Sequence, residues 1–318
     1  MWKLRKRNTQ YATQASECAI GSDHEGEEVC SNELQMKAMR LYAQAGPNDS
    51  KSIVLKKAEK RAGVKSESEL YNNAAFQTKL RCFFPNFDPN TTLQQLFTTP
   101  GPFNSKAPLS DSNELGVLRQ WTKLSRQNAF YPFPYELLDF ITIDDSQLRF
   151  FDWIRALKQG YRTFALLINT ATFDQVQQCK PGQSCGLHWF CLFFDFRALP
   201  PTVDFDQLAH AKTPFTQCCT VEFYNSSGNP PRPVIVQYFQ QLNRYFETHL
   251  PGINLWFITA SLARQQFDSY NCGVYCLHYI YNRLQSRSFT YFLTTHITSD
   301  EIQSFRTQIF RHDRHYKD

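Results

Sequence analysis

The segment Gln266-Phe-Asp-Ser-Tyr-Asn-Cys272-Gly273-Val-Tyr-Cys276 decides the reading of this chain, because it places a thiol where irregular chain turns into the first residues of a helix. From Cys272 onward, Leu277, Ile280, Tyr281 and Leu284 form a core-facing stripe. Unpaired N–H groups and the positive end of the helix dipole at that point favour thiolate over thiol, so the thiol pKa is expected below its ordinary value of about 8.5. The thiolate is the nucleophilic form. Gly273 removes a side chain beside the sulfur, which leaves room for a substrate carbonyl, and the neighbouring backbone N–H is placed to help bind an oxyanion. One such cysteine alone is better explained as a small buried apolar residue, so its partners decide the matter.

Working outward, Gly186-Leu-His188-Trp189 puts a histidine at the start of an apolar strand, Phe190 to Phe196. The next strand ends Val221-Glu-Phe-Tyr-Asn225-Ser-Ser-Gly228. Adjacent strands ending near each other would hold His188 beside Asn225, whose carbonyl oxygen then accepts from the imidazole and fixes its tautomer. That is the orienting third member of a Cys-His-Asn arrangement. Gln266, six residues before Cys272, offers an amide donor to polarise a scissile carbonyl. Each residue alone says little, but His188, Asn225, Gln266 and Cys272 together fill four catalytic roles.

The rest of the chain falls into two parts. Of 28 Phe residues only Phe76 lies in the first 80 positions, and those positions carry 13 basic and 10 acidic residues. Residues 33 to 45, ended by Gly46-Pro47, and residues 52 to 62 read as helices of a small arm. Pro85, Pro89, Pro100-Gly-Pro102 and Pro108 then mark a connecting segment, which puts the boundary near residue 105: an arm with linker at 1–105 and a second domain at 106–318. The second part has helical spacing from Asn113 to Ser125 and strand-like runs at 163–168, 189–196, 220–224 and 255–259. A helix opens at Pro233 with Ile235, Phe239, Leu242 and Phe246 on one face, and another opens with the capping pattern Thr298-Ser-Asp-Glu301. The order of helices and strands indicates an α+β fold.

Composition narrows the class. Apolar residues at 42%, with 16 Pro and 12 Gly in 318 residues, exclude disordered and collagen-like chains, and no apolar run approaches the roughly 18 residues a membrane span needs. No apolar core follows the basic N-terminus, so a secretory signal is not expected. Ten cysteines are too sparse for a disulfide scaffold and are read as mostly reduced thiols of an intracellular protein. The net charge of +5 is mild, and Lys3, Arg5, Lys6 and Arg7 permit at most a weak nucleic-acid contact.

With His-Trp opening a strand, Asn-Ser after an aromatic strand end and then Gln-x5-Cys-Gly, the chain resembles the cysteine-protease clan of adenain and the SUMO proteases. Within that clan it is most similar to the polyprotein-processing protease type of African swine fever virus. The resemblance rests on Gly186-Leu-His188-Trp, on Val221 to Ile235, and on Ile297-Thr-Ser-Asp-Glu together with Phe305-Arg-Thr-Gln-Ile-Phe310-Arg; it is patchier at 37–44, 100–102 and 118–121. It implies a papain-like (adenain/SUMO-protease-like) core with an N-terminal helical arm, in a protein of a related large DNA virus. It also implies cleavage of viral structural polyproteins after Gly-Gly during capsid maturation, at assembly sites in the host cytoplasm and in the virion. His188, Asn225 and Cys272 become the triad, Gln266 the oxyanion donor, and Trp189 the roof over the substrate glycines. No cofactor is implied. Asn271 stands where the clan generally carries an acidic residue, and about twenty inserted residues, Ala198 to Cys218, separate the His strand from the Asn strand.

The same residues admit other readings. Cys179, Cys185, His188 and Cys218-Cys219 offer zinc ligands, but their spacing is not that of a common finger. A deubiquitinase or deSUMOylase would use the same four residues on a folded modifier, a clan-related acyltransferase would use a similar Cys and His, and a virion structural protein would carry a dead site.

Overall fold

The structure, a computed structural model, describes residues 18–19, 29–84, 87–88, 96–102, 106–122, 130–144, 146–180, 185–186, 188–200, 202–212, 218–259 and 264–311. The chain divides into two compact units, one of residues 1–98 with 307–311 and the other of 99–306 with 312–318. The division falls at residue 98, where the sequence reading puts it near 105. The basic cluster Lys3 to Arg7 lies outside the described residues.

Among its described residues the first unit carries the helices α1 (Glu33–Ala43), α2 (Lys51–Ala62), α3 (Glu67–Leu70) and α4 (Ala74–Arg81). Asn32 caps α1 in a reciprocal pair with Gln35, and Gln44, rather than Gly46-Pro47, ends it in the left-handed conformation. Met36, Met39, Val54, Leu70, Tyr71 and Phe76 fill the core between them. Glu67 is buried there and accepts from the Cys30 and Ser31 backbone N–H groups at 2.7 and 2.9 Å.

The second unit is built on a six-stranded mixed sheet. Its strands are β1 (Phe130–Pro132), β2 (Glu136–Leu137), β3 (Thr163–Asn169), β4 (Trp189–Asp195), β5 (Cys218–Tyr224) and β6 (Asn254–Thr259). The order is β1-β3-β4-β5-β6, with β2 also on β3. β3–β4 and β4–β5 are antiparallel, while β5–β6 is parallel. Helix α5 (Asp111–Trp121) precedes the sheet, and short helices α6 (Trp153–Lys158), α7 (Phe173–Gln177) and α8 (Phe205–Ala209) lie in its connections. Helices α9 (Pro233–His249), α10 (Cys272–Leu284) and α11 (Phe289–Thr294) complete it, together with α12 (Ser299–Ile309) as far as Arg306.

β3 and β4 are apolar at almost every position because both faces of the sheet are covered. Alternate residues sort between the faces. Phe164, Leu166, Phe190, Leu192, Phe194, Val221 and Phe223 join one core with Ile235, Tyr238, Leu242 and Phe246 of α9. Phe239, assigned to the buried face from spacing, instead stacks on Phe257 at the edge of that core, and Tyr238 takes the interior place. The opposite set, including Cys191, Phe193, Glu222 and Tyr224, meets α10. Tyr224 stacks on Tyr279 with ring centroids 4.4 Å apart.

A buried ion cluster fixes that second contact. Glu222 is fully buried in mid-strand and receives Arg283 Nε and Nη2 at 2.7 Å each, Tyr279 Oη at 2.6 Å and Thr220 Oγ1 at 2.9 Å. Arg283 Nη2 also reaches Asp195 at 2.9 Å. Every charge therefore has a partner, the condition under which ions are tolerated in a protein interior.

Two disulfides stand among the cysteines expected to be mostly reduced. Cys18–Cys30 and Cys179–Cys185 are bonded, with Cα atoms 5.2 and 6.0 Å apart, as a bridge requires, while the other six cysteines carry thiols, so the majority is reduced. Cys179 and Cys185, ligands in the zinc reading, are thus joined to each other. The inserted residues 198–218 carry α8, whose Leu208 enters the sheet core and whose carbonyl accepts from Gly252 N–H at 3.0 Å. Among the described residues no helix is long and apolar enough to cross a membrane.

Replacing Glu222 with Leu leaves Asp195 as the remaining carboxylate partner of the buried Arg283 guanidinium and is expected to cost about 3 kcal/mol, whereas the double replacement Glu222→Leu with Arg283→Met should cost less than either single change. Denaturant unfolding of the three variants checks this; simple additivity would show that the two side chains do not act as a unit.

Candidate active site

The register Cys191↔Tyr224 brings the start of β4 and the end of β5 to the same edge of the sheet. His188 immediately precedes β4 and Asn225 immediately follows β5. The two side chains meet, with His188 Nε2–H donating to Asn225 Oδ1 at 2.7 Å. Asn225 is itself clamped: Oδ1 also accepts from Ser227 N–H at 3.1 Å and Ser227 Oγ at 2.8 Å, and Nδ2 donates to the Asn229 carbonyl at 3.2 Å. The proton is thereby held on Nε2, which leaves Nδ1 with a lone pair to act as a base. Burial and the nearby positive charge of Arg232 push the imidazole pKa below its usual value, against the opposing effect of the Asn225 bond. His188 is neutral at neutral pH.

Cys272 is the first residue of α10, preceded by the N-cap Asn271. The backbone N–H groups of Trp189, Gly273 and Cys272 itself face its sulfur. The expected low thiol pKa is not what the structure gives. At 4% exposure, burial pushes the Cys272 thiol up to about 11, and the three N–H groups only partly offset it. Desolvation of a thiolate outweighs the helix terminus here. Both groups therefore rest neutral, and a thiolate–imidazolium pair would require the proton to move from the thiol to the imidazole.

The loop before Cys272 is held by Asp268. Its carboxylate accepts from Tyr270 N–H at 3.0 Å, Asn271 N–H at 2.8 Å and Asn271 Nδ2 at 3.1 Å. Burial opposes ionisation, but these bonds keep the carboxyl below its ordinary range. Asn271 Oδ1 in turn accepts from Arg306 at 3.0 Å. Gln266 is buried, with Oε1 receiving Ser226 Oγ at 2.8 Å and Nε2 donating to the Asp268 carbonyl at 2.9 Å and carboxylate at 3.2 Å. The backbone N–H groups of Gln265 and Gln266 both donate to the Ser226 carbonyl at 2.9 Å. Gln266 is thus tied to the turn that carries Asn225 and to the loop that carries Cys272.

Two glycines permit close approaches. A Cβ on Gly186 would stand 1.6 Å from Asn169 Oδ1, so only glycine passes there on the way to His188. A Cβ on Gly273 would stand 2.0 Å from Glu114 Oε1. The space beside Gly273, read from the sequence as room for substrate, is filled by Glu114 and Leu109. Trp189 is buried, and its ring meets half-exposed Tyr135 edge to face at 6.0 Å. The sequence reading missed Ser227, Arg232, Asp268 and Glu114. Asn-Ser-Ser and Asp-Ser-Tyr-Asn carried a visible turn signal, but nothing in the sequence pairs Glu114 with Cys272.

No family model matches the chain. The SUMO-1 cysteine protease of African swine fever virus from a Kenyan pig isolate is 27% identical over 237 residues, spanning 70% of this chain and 75% of its own. The cysteine protease of a Malawian tick isolate matches to the same extent. The crystal structure of the African swine fever virus pS273R protease superposes with a TM-score of 0.65 at 22% identity, covering 95% of this chain and 98% of its own. The chain is a homologue of these viral cysteine proteases. It shares their α+β fold.

If His188 Nδ1 is the base, the acid limb of any activity at this site should have its midpoint below the ordinary imidazole value of about 6.5, since protonation removes the base and the folded pKa is depressed. Removing the positive charge with Arg232→Gln should move that limb to higher pH. An acid limb with its midpoint above the ordinary imidazole value would show that His188 is not the titrating group.

Proposed function

We propose that the protein is a cysteine endopeptidase that cleaves viral structural polyproteins after Gly-Gly. The observation that carries the reading is the orientation of His188, whose Nε2 is committed to Asn225 while Cys272 lies beneath the backbone of the next residue, Trp189. In this mechanism Nδ1 takes the thiol proton as the sulfur attacks the carbonyl carbon after the second glycine. The oxyanion meets the Cys272 N–H and the Gln266 amide, which turns from Asp268 to reach it. His188 then returns its proton to the leaving amine, and water hydrolyses the thioester by the reverse sequence. The rise in thiol pKa suits a nucleophile generated at the moment of attack.

Preference for Gly-Gly is supported by the aromatic pair Trp189 and Tyr135 beside the nucleophile, which narrows the approach, and by the likeness to the polyprotein-processing proteases. The relatives' own name, SUMO-1 cysteine protease, favours a second reading in which the same residues cut a ubiquitin-like modifier after its C-terminal Gly-Gly. Substrate size separates the two.

A Gly-Gly-Xaa peptide should be cleaved after the second glycine, with products mapped by mass spectrometry. Cys272→Ala and His188→Ala should each abolish cleavage, while Gln266→Ala should lower kcat by about 100-fold or more with little change in KM. Cleavage only of folded SUMO or ubiquitin fusions would favour the modifier reading. Cleavage that survives Cys272→Ala would overturn both.

A further inference from the structure

Helix α5 carries a carboxyl that the mechanism above does not use. Glu114 is completely buried, and neither of its oxygens has a hydrogen-bond partner among the described residues. Its Oε1 lies against the α-carbon of Gly273, close enough that any side chain there would collide with it. The carboxyl also acts electrostatically on the sulfurs of Cys272 and Cys276. An unpartnered buried acid is costly to keep, and one lying against the residue after a nucleophile points to a use there.

Its surroundings favour the neutral form. Leu109 packs beside it, Asp111 on its own helix adds negative charge, and α10 presents Cys272, Gly273 and Cys276. Tyr135 bonds to Asp111 rather than to Glu114. Arg306 of α12 donates to Asn271 and to the Ala107 carbonyl. Burial first, and Asp111 second, hold the Glu114 proton far above the ordinary carboxyl range.

We propose that Glu114 is a positioning residue for the Cys272 thiol: its protonated carboxyl donates to the sulfur as the S–H proton passes to His188, and its ionised form opposes that transfer. One proton moves, from Sγ to Nδ1, and Glu114 keeps its own. The inference rests on Cys272 as nucleophile, but its test needs no peptide substrate, so a failure of the peptidase reading would appear as lost cleavage with the thiol profile intact.

The test follows the rate of Cys272 alkylation by iodoacetamide, mapped by mass spectrometry, from neutral to alkaline pH in the full chain and its Glu114→Gln and Glu114→Leu variants. Glu114→Gln keeps a neutral donor, so its half-maximal rate should come at the wild-type pH. Glu114→Leu has no donor and should titrate about one pH unit or more above both, a tenfold loss of thiolate at a given pH. Any other order, including a Gln profile displaced like that of Leu or a Leu profile that coincides with wild type, overturns the proposal. If neither variant folds, the infrared difference spectrum of the wild-type protein before and after Cys272 alkylation decides it. A protonated-carboxyl band that shifts supports the proposal, and its absence overturns it.

Discussion

The buried contact between Glu222 and Arg283 is the constraint on which the site depends. β5 delivers Asn225 at its end and Glu222 within it, while α10 begins at Cys272 and carries Tyr279 about two turns on and Arg283 about three. Locking Glu222 to Tyr279 and Arg283 fixes α10 against the face of the sheet, so the helix start arrives at the edge where His188 and Asn225 emerge. A one-residue slip of β5 would turn Glu222 into the α9 core and remove Asn225 from His188. Charge thus sets the register of the helix on the sheet, and apolar packing supplies most of the cohesion.

Chemically the site is a neutral one at rest. Burial raises the thiol and lowers the imidazole, so the two pKa values lie in the order that disfavours a standing thiolate–imidazolium pair. A thiol protected in this way is less exposed to adventitious oxidation, and backbone donors are already aimed at its sulfur. Substrate that excludes water and strengthens those donors would supply the missing driving force.

Much of this was legible in the sequence because the signals were local. The apolar runs of β3 to β6, Pro233 at the start of α9 and Thr298 before α12 each mark an element through short-range chemistry. The pairing of His188 with Asn225 followed from strand order alone. The thiol pKa did not, because the helix terminus is written in the sequence while the depth of burial is a property of the packed core. Glu114 and Arg232 were hidden for the same reason, since they lie 158 and 40 residues from Cys272 in the chain and only the fold brings them to the site. The short strands β1 and β2 and the helices α6 to α8 have too few residues to show a period.

The most direct test of the assembled site is covalent trapping with a peptide that ends in Gly-Gly and carries a carbon electrophile in place of the scissile amide. The adduct would be located by proteolysis and mass spectrometry in the wild-type protein and in His188→Ala. The account predicts a single adduct, on Cys272, that is strongly reduced in His188→Ala. An adduct on Cys276, Cys191 or another free cysteine, or equal labelling without His188, would contradict it.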